Sequence, residues 1–406
     1  MKKFHYRLRR FCAFLIGATL VVAGVFKLMD PVGTGLIMED YFKFLHIQFL
    51  DPAAKVLGTL LALFETIVGS ALVTGVWRRI TAIVTSAMVA FFTILTLILA
   101  IVNPSMDCGC FGEVVHLTNL QTFFKNLVLL ALAAIAFLPI NEYGDAKKLK
   151  YIAFWISAAS MAGFSIYSWL TIPMVDYTAF KPGSELYASM DNPSEAYDDM
   201  ETKVIYEKNG QEGAFPLDKL PDSTWTYVRT ETVRTNDAEE NEAFPQLSFT
   251  DAEGNYQDEL ATEGDVMVCS AYKPEKLNGG AWDRMADVME TAKSSGYVPI
   301  ALVSCSQETF DGLGSITPDV RSRLKKYVYF ADFKTLVSVN RANGGYTLFN
   351  DGELIRKYSA RWNPSSTELL EMIGSDPSEE MLHYSTNGRL HLQMFFLYLF
   401  IVLVLL

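Results

Sequence analysis

LLALFETIVGSALVTGVWRRITAIVTSAMVAFFTILTLILAIV, residues 60–102, decides what kind of fold this chain takes. It is two apolar runs parted by Arg78 and Arg79, and Glu65 is the one ionisable group inside the first. Neither run has a polar stripe. A helix apolar on every side belongs in lipid or in a large core. A hydrocarbon layer roughly 30 Å thick takes about 20 such residues.

Working outward, the same pattern recurs over Phe11–Met29, Ala53–Trp77, Ile80–Val102 and Asn119–Ile140. A fifth run covers Tyr151–Met174, with Trp155 and Trp169 near its ends. LHLQMFFLYLFIVLVLL, closing at Leu406, is read as a sixth span, with a re-entrant tail or a truncated reading frame as the alternatives. The 406 residues are half apolar yet carry a formal charge of -12, because residues 176–385 read as an acidic soluble protein. With no sustained basic stripe, nucleic acid is excluded as a partner.

Lysine and arginine in short loops set orientation. MKKFHYRLRRF, Arg78–Arg79 and AKKLK fall on one side if the spans alternate, and that side is the cytoplasm. The expectation is a multi-pass membrane protein with its N-terminus inside and the acidic domain facing outward. A cleaved signal peptide is the weaker reading, since no small-x-small site precedes Lys27 and Asp30.

MDCGCFGEVVH, residues 106–116, then lies on the outer side, where disulfides persist. Cysteines at i and i+2 bridge poorly unless the chain bends sharply, which Gly109 permits. A bridge so made is strained and readily reduced, so Cys108 and Cys110 suit redox work better than stapling. A metal reading would need Cys108, Cys110 and His116 with Asp107 or Glu113, a spacing that matches no standard zinc pattern, and no metal is assigned. A turn with space-filling thiols is the remaining alternative.

Glu65 has about a dozen residues between it and the outer end of its helix, roughly 18 Å of depth. An ionisable group so deep usually marks a site. Lys27 and Lys125 fall in the outer half. Together they outline a pocket with Glu65 at its floor and the lysines on its walls, where they would favour the thiolate. Snorkelling lysines and a protonated, packing Glu65 are the alternative. DPVGTGLIMEDYFKFLHIQFLDP, with Tyr41, Phe42, Phe44, Leu45, Phe49 and Leu50, reads as an interfacial helix able to cover that pocket.

KLMDPVGTG after the first span, the intramembrane Glu65 and CGCFGE before FFKN together resemble the MauE/DoxX superfamily of four-helix membrane proteins, over roughly residues 10 to 140. The layout resembles a Bacteroidetes-type DoxX family protein with a fused outer domain. The resemblance implies a bacterial inner-membrane protein, its outer domain periplasmic, linked to thiol or quinone redox chemistry or to maturation of disulfide-containing partners, as in methylamine utilisation. It implies no defined reaction, and whether a quinone binds is left open.

Beyond residue 176 the chain reads first as an acidic linker with a small β element, 176–243, in which VIYEKNGQEGAFPLDKLPDSTWTYVRTETV holds two alternating runs. From Phe244 to residue 376 strands and helices alternate: a hairpin turning at Glu253–Gly254, GDVMVCSA, the helix AWDRMADVMETAKSSG, VPIALVSCS, PDVRSRLKKY, YVYFAD, FKTLVSVNRA, YTLFN, ELIRKYS and SSTELLEMI. This order resembles a thioredoxin-like domain. AYKPEKLNGG stands where CxxC would be, and Asn343–Gly344–Gly345 where a cis-proline would be, so the domain is degenerate and suits docking. Cys269 and Cys305 fall near adjacent strand ends, and Cys12 reads as packing.

The expected fold is therefore an all-α membrane bundle over 1–145, a fifth helix over 146–175, the linker, an α/β thioredoxin-like domain over 244–376, and a C-terminal helix over 386–406. The first functional reading is thiol/disulfide exchange at Cys108 and Cys110, with Glu65, Lys27 and Lys125 in the pocket and a periplasmic protein partner or thiol substrate. The alternative is a non-enzymatic accessory protein that binds a periplasmic partner.

Overall fold

The structure is a computed structural model. It describes residues 2–104, 106, 108–138, 146–186, 200–208, 211–216, 226–234 and 245–405. In the N-terminal part, helix α1 (Lys2–Met29) is followed by α2 (Pro31–Phe44), a 3-10 turn at Gln48–Ala53, α3 (Ala54–Thr74) and α4 (Arg78–Val102). A short extended segment, β1 (Cys110–Glu113), leads to α5 (Asn119–Phe137) and α6 (Lys148–Leu170). Among the described residues six helices are long and apolar enough to cross a membrane: Phe4–Met29, Gln48–Thr74, Arg78–Val102, Asn119–Phe137, Lys148–Leu170 and Pro377–Val404.

Small residues let α1 and α3 meet closely. A β-carbon at Gly69 would come 2.7 Å from the Gly17 carbonyl, and one at Gly24 would come 2.3 Å from Thr66 Cγ2. Lipid tails are as apolar as leucine, so helices in lipid associate through such close packing. α4 packs chiefly on α5. Asp30 caps α2, accepting from the Gly33 N–H at 2.9 Å, and Pro31 opens the helix where its missing N–H costs nothing.

Residues 200–234 form a three-stranded antiparallel sheet, order β3-β2-β4, from β2 (Met200–Lys208), β3 (Gln211–Pro216) and β4 (Thr226–Arg234). The two alternating runs read from the sequence are thus three strands.

The second sheet holds β5 (Asp265–Ala271), β6 (Val298–Val303), β7 (Val328–Phe330), β8 (Gly345–Asn350) and β9 (Glu353–Tyr358) in the order β7-β6-β5-β8-β9. β5, β6 and β7 run parallel, while β8 and β9 run antiparallel. Period-two alternation splits β5 between two cores. Met267, Cys269 and Ala271 face helices Gly279–Ser295, Pro318–Leu324 and Ser366–Ile373. Val266 and Val268 face helix Phe333–Val339 and a layer that includes Phe180, Leu186 and Phe249.

Two boundaries differ from the sequence reading. Gly183 and Leu186 donate backbone hydrogen bonds to Leu354 and Gly352, so the chain just after residue 176 lies along β9. The C-terminal helix begins at Pro377, capped by Asp376, well before its apolar run. Gly388 lets it pass within contact of the Met174 carbonyl. The Glu253–Gly254 turn forms, closed by a single Thr250–Tyr256 bridge.

Candidate functional site

The close α1–α3 crossing brings Lys27 opposite Glu65. The ammonium donates to both carboxylate oxygens, at 2.9 and 2.7 Å, and both residues are buried. Lys27 therefore neither snorkels nor stands as a free charge beside the thiols. Its carbonyl accepts from the Thr34 hydroxyl at 2.9 Å, which ties the end of α1 to α2.

Above this pair lies the cysteine loop. Gly109 takes φ +60, and a β-carbon there would meet Ile37 of α2 at 2.4 Å, so glycine is required for both backbone and space. The Gly112 N–H returns to the Gly109 carbonyl at 3.2 Å, folding the loop around Cys110. The Tyr41 hydroxyl donates to the Cys108 carbonyl at 2.8 Å. Both cysteines are free thiols within hydrogen-bonding reach of one another.

That contact separates them chemically. A hydrogen bond from Cys110 holds the Cys108 thiol down at about 5, against the cost of its own burial. The hydroxyl of Thr122, fully buried and without a nitrogen or oxygen partner, supports the same thiolate, as does the charge of Lys125. Cys110 is pushed up, first by its bond to Cys108 and then by burial. The contact thus favours the thiolate on Cys108 and keeps the proton on Cys110. Lys125 also lies 5.1 Å over the Phe111 ring.

Cys108, Cys110, Lys27, Glu65 and Lys125 all line one cavity of about 230 Å³. Its other walls are mostly apolar, drawn from all five helices α1 to α5, and include Phe91, which is 61% exposed. The five residues singled out from the sequence are thus brought together. Among the described residues no three His, Cys, Asp or Glu side chains converge for a metal ion, and Asp107 lies outside the described residues. Cys269 is fully buried and Cys305 half-buried, both free, and burial raises both thiols.

The α/β domain covers this loop. Arg341, 5% exposed, donates from Nε to Asp30 at 2.9 Å and pairs with Glu113 at 3.2 Å. Lys273 approaches Glu39 of α2 at 4.0 Å. Lys273 and Asn343 exchange two hydrogen bonds, 2.9 and 2.8 Å, joining the end of β5 to the loop before β8. Val32 and Leu36 of α2 pack into the core under the sheet. Lys357 pairs with Asp176 beside them, its ammonium pushed down by burial.

The sequence reading missed Thr122 and Arg341 and gave Tyr41 only to a surface helix. Asp30 before Pro31 is a legible helix cap, but nothing local announces that Arg341, 311 residues away, meets it.

Residues 6–139, about a third of the chain, match the family described as methylamine utilisation protein MauE. Residues 200–235 match a domain of unknown function, DUF8463. No curated protein and no solved structure matches the chain. With its apolar helices, the N-terminal third is a MauE-like membrane domain in a multi-pass protein.

Proposed function

We propose that this protein is a membrane thiol-redox protein in which Cys108 and Cys110 cycle between dithiol and disulfide at the wall of the apolar cavity. The observation that carries this reading is the pair itself: two free thiols within hydrogen-bonding reach of one another on the wall of a mostly apolar cavity, with Cys108 held down toward its thiolate. A thiolate of a reduced partner would attack Cys110 in the Cys108–Cys110 disulfide and release Cys108, the better leaving sulfur; the partner's second thiol then resolves the mixed disulfide, leaving the partner oxidised and the pair as a dithiol.

The cavity suits an apolar ring and tail, with Lys27, Glu65 and Lys125 as its polar contacts. A carrier of the quinone class, when bound, would take the two electrons and two protons released as the dithiol closes to one S–S bond. Glu65 and Lys27, paired at 2.7 Å, can pass a proton between them without exposing a lone charge to lipid.

Orientation follows the basic ends. Arg9 bonds the Ala136 carbonyl, Arg78 lies by Gly75, and Lys150 reaches the Val404 carbonyl, all at the bundle end away from the cysteine loop. Placing that end in the cytoplasm of a bacterial inner membrane puts the α/β domain in the periplasm. Strands β6-β5-β8-β9, the first two parallel and the rest antiparallel, support a thioredoxin-like reading of that domain. Lacking cysteine at Tyr272–Lys276 and proline at Asn343–Gly345, it is a docking module.

The second reading is a non-enzymatic accessory protein, as the methylamine utilisation family description suggests, favoured by how fully Cys108, 4% exposed, is covered. Maleimide gel shift in native membranes, with and without reductant, separates the two. A reductant-dependent shift absent from the double variant Cys108→Ser/Cys110→Ser is expected. Thiols that stay fully reduced when a soluble quinone is added would sink the redox reading and leave the accessory one.

A further inference from the structure

We infer that Arg341 of the α/β domain is a positioning residue for the membrane thiol pair, so that the site is complete only with that domain docked. The inference rests on the thiol-redox reading, and its ground is geometric. Arg341 bridges two carboxylates that belong to different segments: Asp30 opens α2, and Glu113 ends the strand that begins at Cys110. Each segment fixes one side of the cysteine loop. α2 holds the Cys108 carbonyl through Tyr41, and β1 carries the Cys110 sulfur.

The two acids are close. The space beside Gly33 is bounded by Asp30 Oδ2 and by Glu113 Cγ, at 2.4 and 2.9 Å from where a β-carbon would be. Two carboxylates crowded together, Asp30 buried and Glu113 half-buried, repel, and a cation between them relieves it. Arg341 is that cation, and its planar fork reaches both at once. Its place is fixed from behind, by a bond from its guanidinium to the Val337 carbonyl at 3.3 Å and by Tyr272 donating to its own carbonyl at 2.9 Å. Without Arg341 the end of β1 moves away from α2 and draws Cys110 off Cys108. The thiolate then loses the hydrogen bond that most stabilises it.

The groups facing Cys108 are Cys110, Thr122, Lys125 and the Tyr41 hydroxyl, with the Lys27–Glu65 pair below; Arg341 itself does not touch the sulfur. A change in the thiol on removing Arg341 would therefore report position, not direct charge.

The test is the pH profile of Cys108 alkylation by a small maleimide, measured on the purified full-length Cys110-containing protein in detergent. In the native protein the thiolate is present at neutral pH and lost as pH falls through about 5. Arg341→Met and Glu113→Gln are expected to move the midpoint upward and to slow alkylation at neutral pH by about tenfold or more, because rate follows thiolate fraction. The double variant should shift no further than either single one. Arg341→Lys, which keeps a cation but reaches one carboxylate, should fall between and serves if Arg341→Met does not fold. An unchanged midpoint in Glu113→Gln and Arg341→Lys, with only a lower melting temperature, would reduce Arg341 to a domain contact and overturn the inference. Alkylation needs no turnover, so a protein that never oxidises its thiols would fail the redox reading and still give a clear answer here.

Discussion

Lys27 and Glu65 neutralise each other inside apolar helices, and the value of each depends on the other. Removing one partner of a buried pair leaves an uncompensated charge and costs about 3–5 kcal/mol, whereas replacing both with apolar groups is often neutral. Lys27→Met or Glu65→Ala alone should therefore lower the melting temperature in detergent markedly, and Lys27→Met/Glu65→Met should recover most of it. A double variant no better than the worse single one would show that the pair is not a unit. Both residues were legible in the sequence, because an ionisable group in an apolar run stands out against its neighbours. Their pairing was not: they are 38 residues apart, and which faces of α1 and α3 meet is decided by packing. Gly109 was legible for its backbone, since a bend between two cysteines needs positive φ. That Ile37 crowds its missing side chain was not.

At the scale of elements, the crossing of α1 and α3 makes the site, and glycine makes the crossing. A β-carbon at Gly24 would stand 2.3 Å from Thr66 Cγ2 and 2.9 Å from the Ala62 carbonyl, so Gly24→Val must push the helices apart. Overpacking of this kind costs about 1–3 kcal/mol. It should also lengthen the reach from Lys27, about a turn further along α1, to Glu65, which adjoins Thr66 on α3. Gly163 of α6, with nothing within 4 Å of its missing β-carbon, is the control. Thermal unfolding of both variants checks this: Gly24→Val should melt lower, and Gly163→Ala should melt no lower than the native protein. An unaffected Gly24→Val would mean the contact yields cheaply. The spans themselves could be read from hydropathy, and α2 from its aromatic face. The helix contacts could not, since small residues in apolar runs carry no partner label. The three-stranded sheet at 200–234 shows the opposite failure, where alternation revealed strands but not their number.

For the whole molecule, the α/β domain sits with the end of β5 and the loop before β8 against α2 and the cysteine loop. The sequence could locate those two loops, through Tyr272–Lys276 and Asn343–Gly345, and could show that they lack redox residues. It could not show that they face a thiol pair in the same chain, because Arg341, Asp30 and Glu113 come together only by folding across hundreds of residues. The consequence is an asymmetry of access. From the aqueous side Cys108 lies beneath α2 and the docked domain, while its cavity reaches the flank of the bundle at Phe91. Small apolar reagents partition into lipid and into apolar cavities, while sulfonated ones remain in water. Cys108 should therefore react faster with an apolar maleimide than with a membrane-impermeant charged one, by a ratio well above that for a free thiol in solution. Arg341→Met should narrow the ratio by loosening the cover, while Phe91→Trp, which fills the flank, should slow the apolar reagent alone. Equal rates for the two reagents in the native protein would mean that water reaches the thiols directly, and that any partner approaches them from the aqueous side.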